Sequence, residues 1–275
     1  MSTVAKRAWQ QDDRIEVDMS NPPTPVADRH QVGVQESQIV LPPSLVDVAA
    51  GQLRRMIIGG QLLPGDRVVE NQLTQQLGMS RPPLREAMRV LEREGLIRSL
   101  PRKGAIVTPL TLHDVYEIFT LRDEFELLAV RLGIPVRDPQ RLDRCRARLE
   151  LMAEAARSGD QAAFSECSFE FHVAVIGLSG HQRLEAAYRT LQLQMLLCMT
   201  LNHRARAGKE DLVQNVGRHR RLLELIEGGD RDLILHELAH HGDRTFLDDI
   251  ESTLDGHTDV ALAWLERVRK GQEGH

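Results

Sequence analysis

Two groups of residues in this 275-residue sequence have the types and spacing for chemistry. Arg81, Arg85 and Arg89 recur every fourth residue in SRPPLREAMRVLER, so in a helix they share one face. Guanidinium forks in a row suit phosphates and guanine edges. The same row is also compatible with a solvated face paired to Glu86, Glu92 and Glu94. The second group is His172, His219 and His241. His219 lies nine residues before Gly228-Gly229 and His241 twelve after, so two antiparallel helices joined at that turn place the imidazoles at similar height. His172 sits among Phe169, Phe171, Val173 and Val175 in a third apolar segment. One inward histidine from each of three helices makes an N₃ set for Zn²⁺, Ni²⁺ or Fe²⁺. Any one of these histidines taken singly reads as a satisfied core or surface residue; it is the three together that point to a metal.

The elements that must position the arginines are legible around them. Pro82 and Pro83 would break a helix interior but cost little in the first turn after an N-cap, so they fix the helix start at Ser80–Arg81. Leu84, Ala87, Met88 and Leu91 form the buried stripe opposite the arginines, and Gly95 ends the helix. Two strands follow, Leu96–Leu100 and Ala105–Thr108, with Pro101-Arg102-Lys103-Gly104 as the tip between them. Upstream, Leu45–Ile58 has helical apolar spacing and ends at Gly59-Gly60. LLPGDRVVE gives a turn and a short extended segment, and Glu70–Leu77 forms a second helix that Gly78 breaks. Helix, glycine turn, helix and basic hairpin together predict a winged helix-turn-helix over residues 44–110.

Charge agrees with that division. Residues 44–110 hold ten Lys/Arg against six Asp/Glu, whereas residues 111–275 hold 21 against 28. A basic reader joined to an acidic partner domain fits a nucleic-acid-binding protein. The longest apolar-rich stretch, around Leu191–Leu201, is broken by Gln192 and Gln194, so no membrane span is expected, and the N-terminus shows no signal peptide. Cys145, Cys167 and Cys198 are few, odd in number and far apart, which suits a reduced cytoplasmic protein. Residues 1–43 carry five prolines in a polar stretch and read as a disordered arm.

From Thr111 to about Glu251 the pattern is helix after helix: 111–132, 141–156, 161–178, a segment to about His203, 209–227 and 230–251, with a last helix or tail in 256–275. The fold class is therefore mostly α, a winged helix-turn-helix followed by an antiparallel bundle of six or seven helices over 111–255.

LREAMRVLEREGLIRSLPRKGAIVTP, with LLPGDRVVENQLTQQLGMSR before it, resembles the GntR family of bacterial transcription regulators without a gap across residues 44–110. The run RDEFE at 122–126, FEFHVAVIGLSG, and RHRRLLELIEGGD with a late histidine resemble the FCD-type ligand-sensing domain of the FadR subfamily. The resemblance places DNA contacts on Ser80, Arg81, Pro82, Arg85, Arg102, Lys103 and Gly104. It also puts Asn71 at a phosphate-contact position that is often basic in relatives. It assigns His172, His219 and His241 as metal ligands, and Arg122, Ser168 and the same histidines to the effector. Ser168 stands where metal-binding members carry an Asp, and Arg218 where they carry a Glu before the second histidine. Two arrangements stay open: a metal whose free positions take water and an anionic effector, or a metal-free site in which Arg122 and the histidines bind the effector directly. Glu166 and Glu170 are the nearest carboxylates along the chain, and no carboxylate stands as an obvious general base beside the histidines.

The expectation is a homodimeric, sequence-specific regulator, acting as a repressor on a pseudo-palindromic operator and controlled by a carboxylate-containing metabolite. The competing readings are a metal-dependent enzyme using the three-histidine site, and a non-specific DNA-binding protein with a vestigial pocket.

Overall fold

The computed structural model describes residues 42–206, 211–241, 247 and 250–273; the expected N-terminal arm falls almost wholly outside them. The first helix, α1 (Leu45–Ile58), starts at a capping box in which Ser44 and Asp47 satisfy each other's backbone N–H. Then come β1 (Arg67–Val68), α2 (Glu70–Leu77), α3 (Arg81–Arg93), β2 (Ile97–Leu100) and β3 (Gly104–Val107). Gly78, at φ 63°, makes the left-handed turn between α2 and α3, a conformation that costs a residue with a Cβ more. Leu84, Ala87 and Leu91 of α3 are fully buried against a core that includes Leu53, Ile57, Leu96 and Val107.

The wing differs from expectation in one respect. The short extended segment before α2 is itself a strand, so the sheet has three antiparallel strands in the order β1-β3-β2, with Arg67 opposite Ile106 and Arg98 opposite Ile106 on the other side. A two-residue strand leaves too little periodicity to read, and its pairing is fixed by a partner some forty residues on.

The helical part follows as α4 (Leu112–Gly133), α5 (Pro139–Ser158), α6 (Gln161–Gly177), α7 (Gln182–Arg189), α8 (Gln192–Arg206), α9 (Leu212–Gly228), α10 (Arg231–His240), α11 (Ile250–Thr253) and α12 (Asp259–Glu273). Where one segment to His203 was expected, a break at Thr190-Leu191 divides α7 from α8. The segment expected to run from 230 to 251 as one helix stops at His240, so His241 is its C-cap in an extended conformation. Aligned N-caps at Thr111, Asp138, Asp160, Asp211 and Asp230 start five of these helices, each side chain accepting a backbone N–H.

Two buried clusters hold the molecule together. One is continuous from α1 and α3 through the first half of α4 to α7, α8 and α12. The other joins α5, α6, α9 and α10. Helix α4 belongs to both, and Gly133 at its end lets the backbone of Leu178–Ser179 approach so closely that a Cβ would lie 2.7 Å from it. The helix-turn-helix unit also meets α6 directly: Arg55 of α1 donates to Asp160, the N-cap of α6, at 2.6 Å.

Candidate functional site

The residues expected to contact DNA can be placed on the structure. Ser80, Arg81, Pro82, Arg85, Arg102, Lys103 and Gly104 are all exposed. Ser80 occupies the N-cap position of α3, but its side chain makes no cap hydrogen bond. Pro82 and Pro83 carry no N–H where a cap side chain would bond, so only the Ser80 and Arg81 N–H groups of this turn are left for an outside acceptor such as a phosphate. Helix α2 steadies two of the α3 arginines: Arg81 Nη2 donates to Asn71 Oδ1 at 3.0 Å, and Arg85 Nε to Glu70 Oε2 at 3.0 Å. Asn71, exposed beside α3, orients Arg81 in this structure. The expected solvated-face pairing is met by Arg89 alone, which bonds Glu86; Glu94 pairs instead with Arg54 and Glu92 accepts from Ser99 N–H. At the wing tip Arg102 is left-handed at φ 63°, followed by Gly104 at 84°. A non-glycine residue there costs energy and recurs at binding loops.

The three histidines converge. His172, His219 and His241 are each at most 4% exposed, and one ring nitrogen from each lies within 4.8 Å of the others. Two come from α6 and α9 and the third from the C-cap of α10. Burial holds the proton affinity of each imidazole below its ordinary value, for His219 well below it and for His241 at about 4. They are accordingly neutral at pH 7, which is the ligating form. His219 Nδ1 donates to the Asn215 carbonyl at 3.0 Å, so its Nε2 is bare and accepts from Ser168 Oγ at 3.1 Å. Among the described residues neither ring nitrogen of His241 has a hydrogen-bond partner. Buried polar atoms left this way are rare unless an ion or ligand satisfies them.

Two features of the site's charge are visible only in the structure. Arg122 is not a free cation: it is 7% exposed, and its Nε donates to Glu126 Oε1 at 2.8 Å. The nearest carboxylate is Glu126, not Glu166 or Glu170. Its Oε1 also accepts from Tyr188 Oη at 2.9 Å and lies 3.1 Å from His172 Nδ1, out of line for a hydrogen bond. Burial alone would raise the Glu126 carboxyl, but Arg122 and His172 outweigh it and hold the group ionised, well below its ordinary range. Burial likewise opposes the charge on Arg122, and Glu126 more than restores it. Glu237 Oε1 stands 4.0 Å from His241 Nδ1, too long for a hydrogen bond. Glu170 instead pairs with Arg189 on α7 at 2.8 Å.

The donor set fits a divalent cation: three neutral imidazoles, one with both nitrogens unpartnered, and carboxylates behind two of them. Such a centre would be poor in anionic ligands, because Ser168 offers only a hydroxyl already engaged with His219. Of the other histidines, His181 caps α7 and His236 is exposed; the side chains of His203 and His240 fall outside the described residues.

Comparison with known proteins fits this geometry. The profile of bacterial regulatory proteins, gntR family, matches residues 45–107, and that of the FCD domain matches residues 117–244. An uncharacterized HTH-type transcriptional regulator YdhC of Bacillus subtilis (strain 168) is 32% identical over 191 residues, covering 69% of this chain and 84% of the relative. The chain belongs to the gntR family. A gluconate operon transcriptional repressor of Bacillus licheniformis is 32% identical, covering 70% of this chain and 80% of the relative. The crystal structure of a putative transcriptional regulator GntR from Rhodococcus sp. RHA1 shares the fold at TM-score 0.53 and 24% identity, covering 76% of this chain and 97% of that one. As a member of the gntR family with an FCD domain the chain is a DNA-binding transcriptional regulator; the metal-enzyme reading of the histidines is set aside. Among the described residues no helix is long and apolar enough to cross a membrane.

Proposed function

We propose that the protein is a cytoplasmic repressor that binds a pseudo-palindromic operator as a homodimer and is released by a carboxylate-containing metabolite. In this reading residues 44–110 read DNA, 111–255 bind the effector, and 256–275 add a C-terminal helix. Arg81 and Arg85 reach base edges, while Ser80, Pro82, Asn71 and the wing tip Arg102-Lys103-Gly104 seat the unit on phosphates.

The observation that carries the effector half is the pairing of Arg122 with Glu126 beside three neutral imidazoles. With Arg122 already neutralised, the pocket's own ionised groups leave no net charge to attract a carboxylate. A divalent ion (Zn²⁺, Ni²⁺ or Fe²⁺) held by His172, His219 and His241 supplies positive charge and open positions for water or a carboxylate oxygen. This favours the metal-assisted arrangement over the metal-free one. Within it, the Asn215 carbonyl orients His219, whose Nε2 exchanges the Ser168 hydroxyl for the ion, Glu126 backs His172, and Arg122 lies beside the site to pair with the effector's second polar group. The similarity to a gluconate operon repressor agrees with a polyhydroxy-acid type of ligand. A shift of α6 on binding reaches α1 through Asp160 and Arg55, which gives the two DNA-binding units a reason to move.

Arg85→Ala tests the reading role. Its operator affinity is expected to fall by about 1–3 kcal/mol, with preference relaxed at one base position. Unchanged affinity and preference in a gel-shift titration would remove Arg85 from base recognition.

A further inference from the structure

The outer face of the wing sheet carries two arginines outside the set of expected DNA contacts. The register places Arg67 of β1 and Arg98 of β2 on either side of Ile106 in β3, so the three form one row across the sheet. Val68, Ile97, Ala105 and Val107 take the alternate positions and are buried against the core. The Arg67–Ile106–Arg98 row therefore faces outward, and both arginines are exposed. At the usual strand spacing their backbones stand about 10 Å apart. The same face continues through Leu100 and Gly104, paired on β2 and β3, to the exposed tip at Arg102 and Lys103.

Nothing within the chain answers these charges. Among the described residues the side chains of Arg67, Arg98, Arg102 and Lys103 make no hydrogen bond or ion pair. The carboxylates at hand are engaged elsewhere: Asp66 accepts from Leu63 N–H at 2.8 Å and Glu92 from Ser99 N–H at 3.0 Å. The hairpin from Ile97 to Val107 contains no acidic residue. Four unpaired cations along one strip repel one another, and a polyanion relieves that repulsion over the whole length. Duplex DNA carries one charge per roughly 1.7 Å of its axis, so two guanidinium groups set about 10 Å apart both find phosphates. A small anion would satisfy only one of them. A hairpin whose tip enters a groove also lays its open flank along the backbone bordering that groove. The outer face is that flank, since the inner one is packed on the core.

We infer that Arg67 and Arg98 are phosphate contacts, and that the outer face of the wing extends the footprint of each DNA-binding unit along the duplex beyond the bases met by α3. This rests on the reading of residues 44–110 as the DNA-binding unit with the wing tip in a groove. The contacts add affinity and fix the attitude of the wing, and they carry no base preference. They also give the two-residue strand β1 a role. Its pairing with β3 is what brings Arg67 into line with Arg98 from the other side of the helix-turn-helix.

Fluorescence anisotropy of the full-length chain on a labelled random-sequence duplex several helical turns long tests the inference, because phosphate contacts do not depend on sequence. Affinity is followed from about 50 to 200 mM salt. The slope of log affinity against log salt is expected to be shallower by about 0.9 per bound chain in Arg67→Thr and in Arg98→Thr, and by about twice that in the double variant. Threonine suits a strand, and circular dichroism melts verify that each variant is folded. Arg98→Lys keeps the charge and is expected to keep the wild-type slope. Arg157→Thr removes an exposed arginine at the end of α5, away from the wing, and is expected to leave the slope unchanged. Threonine variants with the wild-type slope would overturn the phosphate contacts and leave the face to an acidic protein partner. An Arg157→Thr slope as shallow as theirs would overturn them too, by reducing the effect to net charge. Slopes that change as expected in a protein that selects no DNA sequence would instead count against the operator reading and leave the contacts standing.

Discussion

Glu126→Gln is expected to lower the stability of the protein by about 3–5 kcal/mol, the range for removing one partner of a buried ion pair. For the helical unit this corresponds to a fall in melting temperature of about 10 °C. Arg122 and Glu126 have side chains only 8% and 3% exposed, so water cannot replace the missing charge. Glutamine keeps the shape and can still accept from Arg122 and Tyr188, but it leaves a guanidinium without a counter-charge. The paired replacement Arg122→Met/Glu126→Leu removes both charges at once and should return most of the lost stability. A thermal melt of Glu126→Gln that overlays wild type would show that Arg122 is compensated elsewhere and that the charge argument for the effector site is mistaken. The acid limb has the same sign. Glu126 is held ionised below its unfolded range, so its contribution is present above the ordinary carboxylate pKa and disappears as pH falls through the depressed folded value.

His219→Ala is expected to reduce bound Zn²⁺ from about one per chain to near zero after equilibration and desalting. Its affinity should fall by more than the 10–100-fold typical of losing a supporting residue, since a ligand itself is removed. The metal-induced rise in melting temperature should vanish with it. The chosen histidine is the one whose tautomer is fixed on both sides, by the Asn215 carbonyl and by Ser168. The metal-free protein carries a matching pH signature. The folded His241 imidazole titrates at about 4 against 6.5 when exposed. The unfolded chain therefore binds a proton that the folded chain refuses between those values. Stability is full above pH 6.5 and falls as the pH drops toward 4, by about 3 kcal/mol from this one group. Equal metal content in wild type and His219→Ala would remove the three histidines as the site.

The DNA-binding half was readable because its signals are local. Pro82 and Pro83 admit one helix start, Gly78 and Gly95 punctuate either side, and Leu84, Ala87 and Leu91 follow helical spacing without interruption. The strand at Arg67–Val68 was not, since only its pairing with β3 makes it one. In the helical half the three histidines could be aligned by counting from Gly228-Gly229, and they do converge. The counting used the wrong element for His241, which sits beyond the last turn of α10. Glu126 had a visible signal, lying four residues after Arg122 on the same helix face, where a carboxylate and a guanidinium meet. Its importance was hidden because burial, not spacing, turns such a pair from a surface contact into a fixed feature of a pocket. Tyr188 gave no signal at all: a short helix, α7, brings its hydroxyl to Glu126 from 62 residues away.

The central claim is that two copies of α3 read a defined sequence. Repeated selection of bound duplexes from a randomised pool by the wild-type protein tests it most directly. The enriched duplexes are expected to share an inverted repeat with guanine-containing half-sites, spaced for a two-fold dimer. Enrichment of no common sequence, with duplexes held in proportion to length and released evenly by salt, would contradict it.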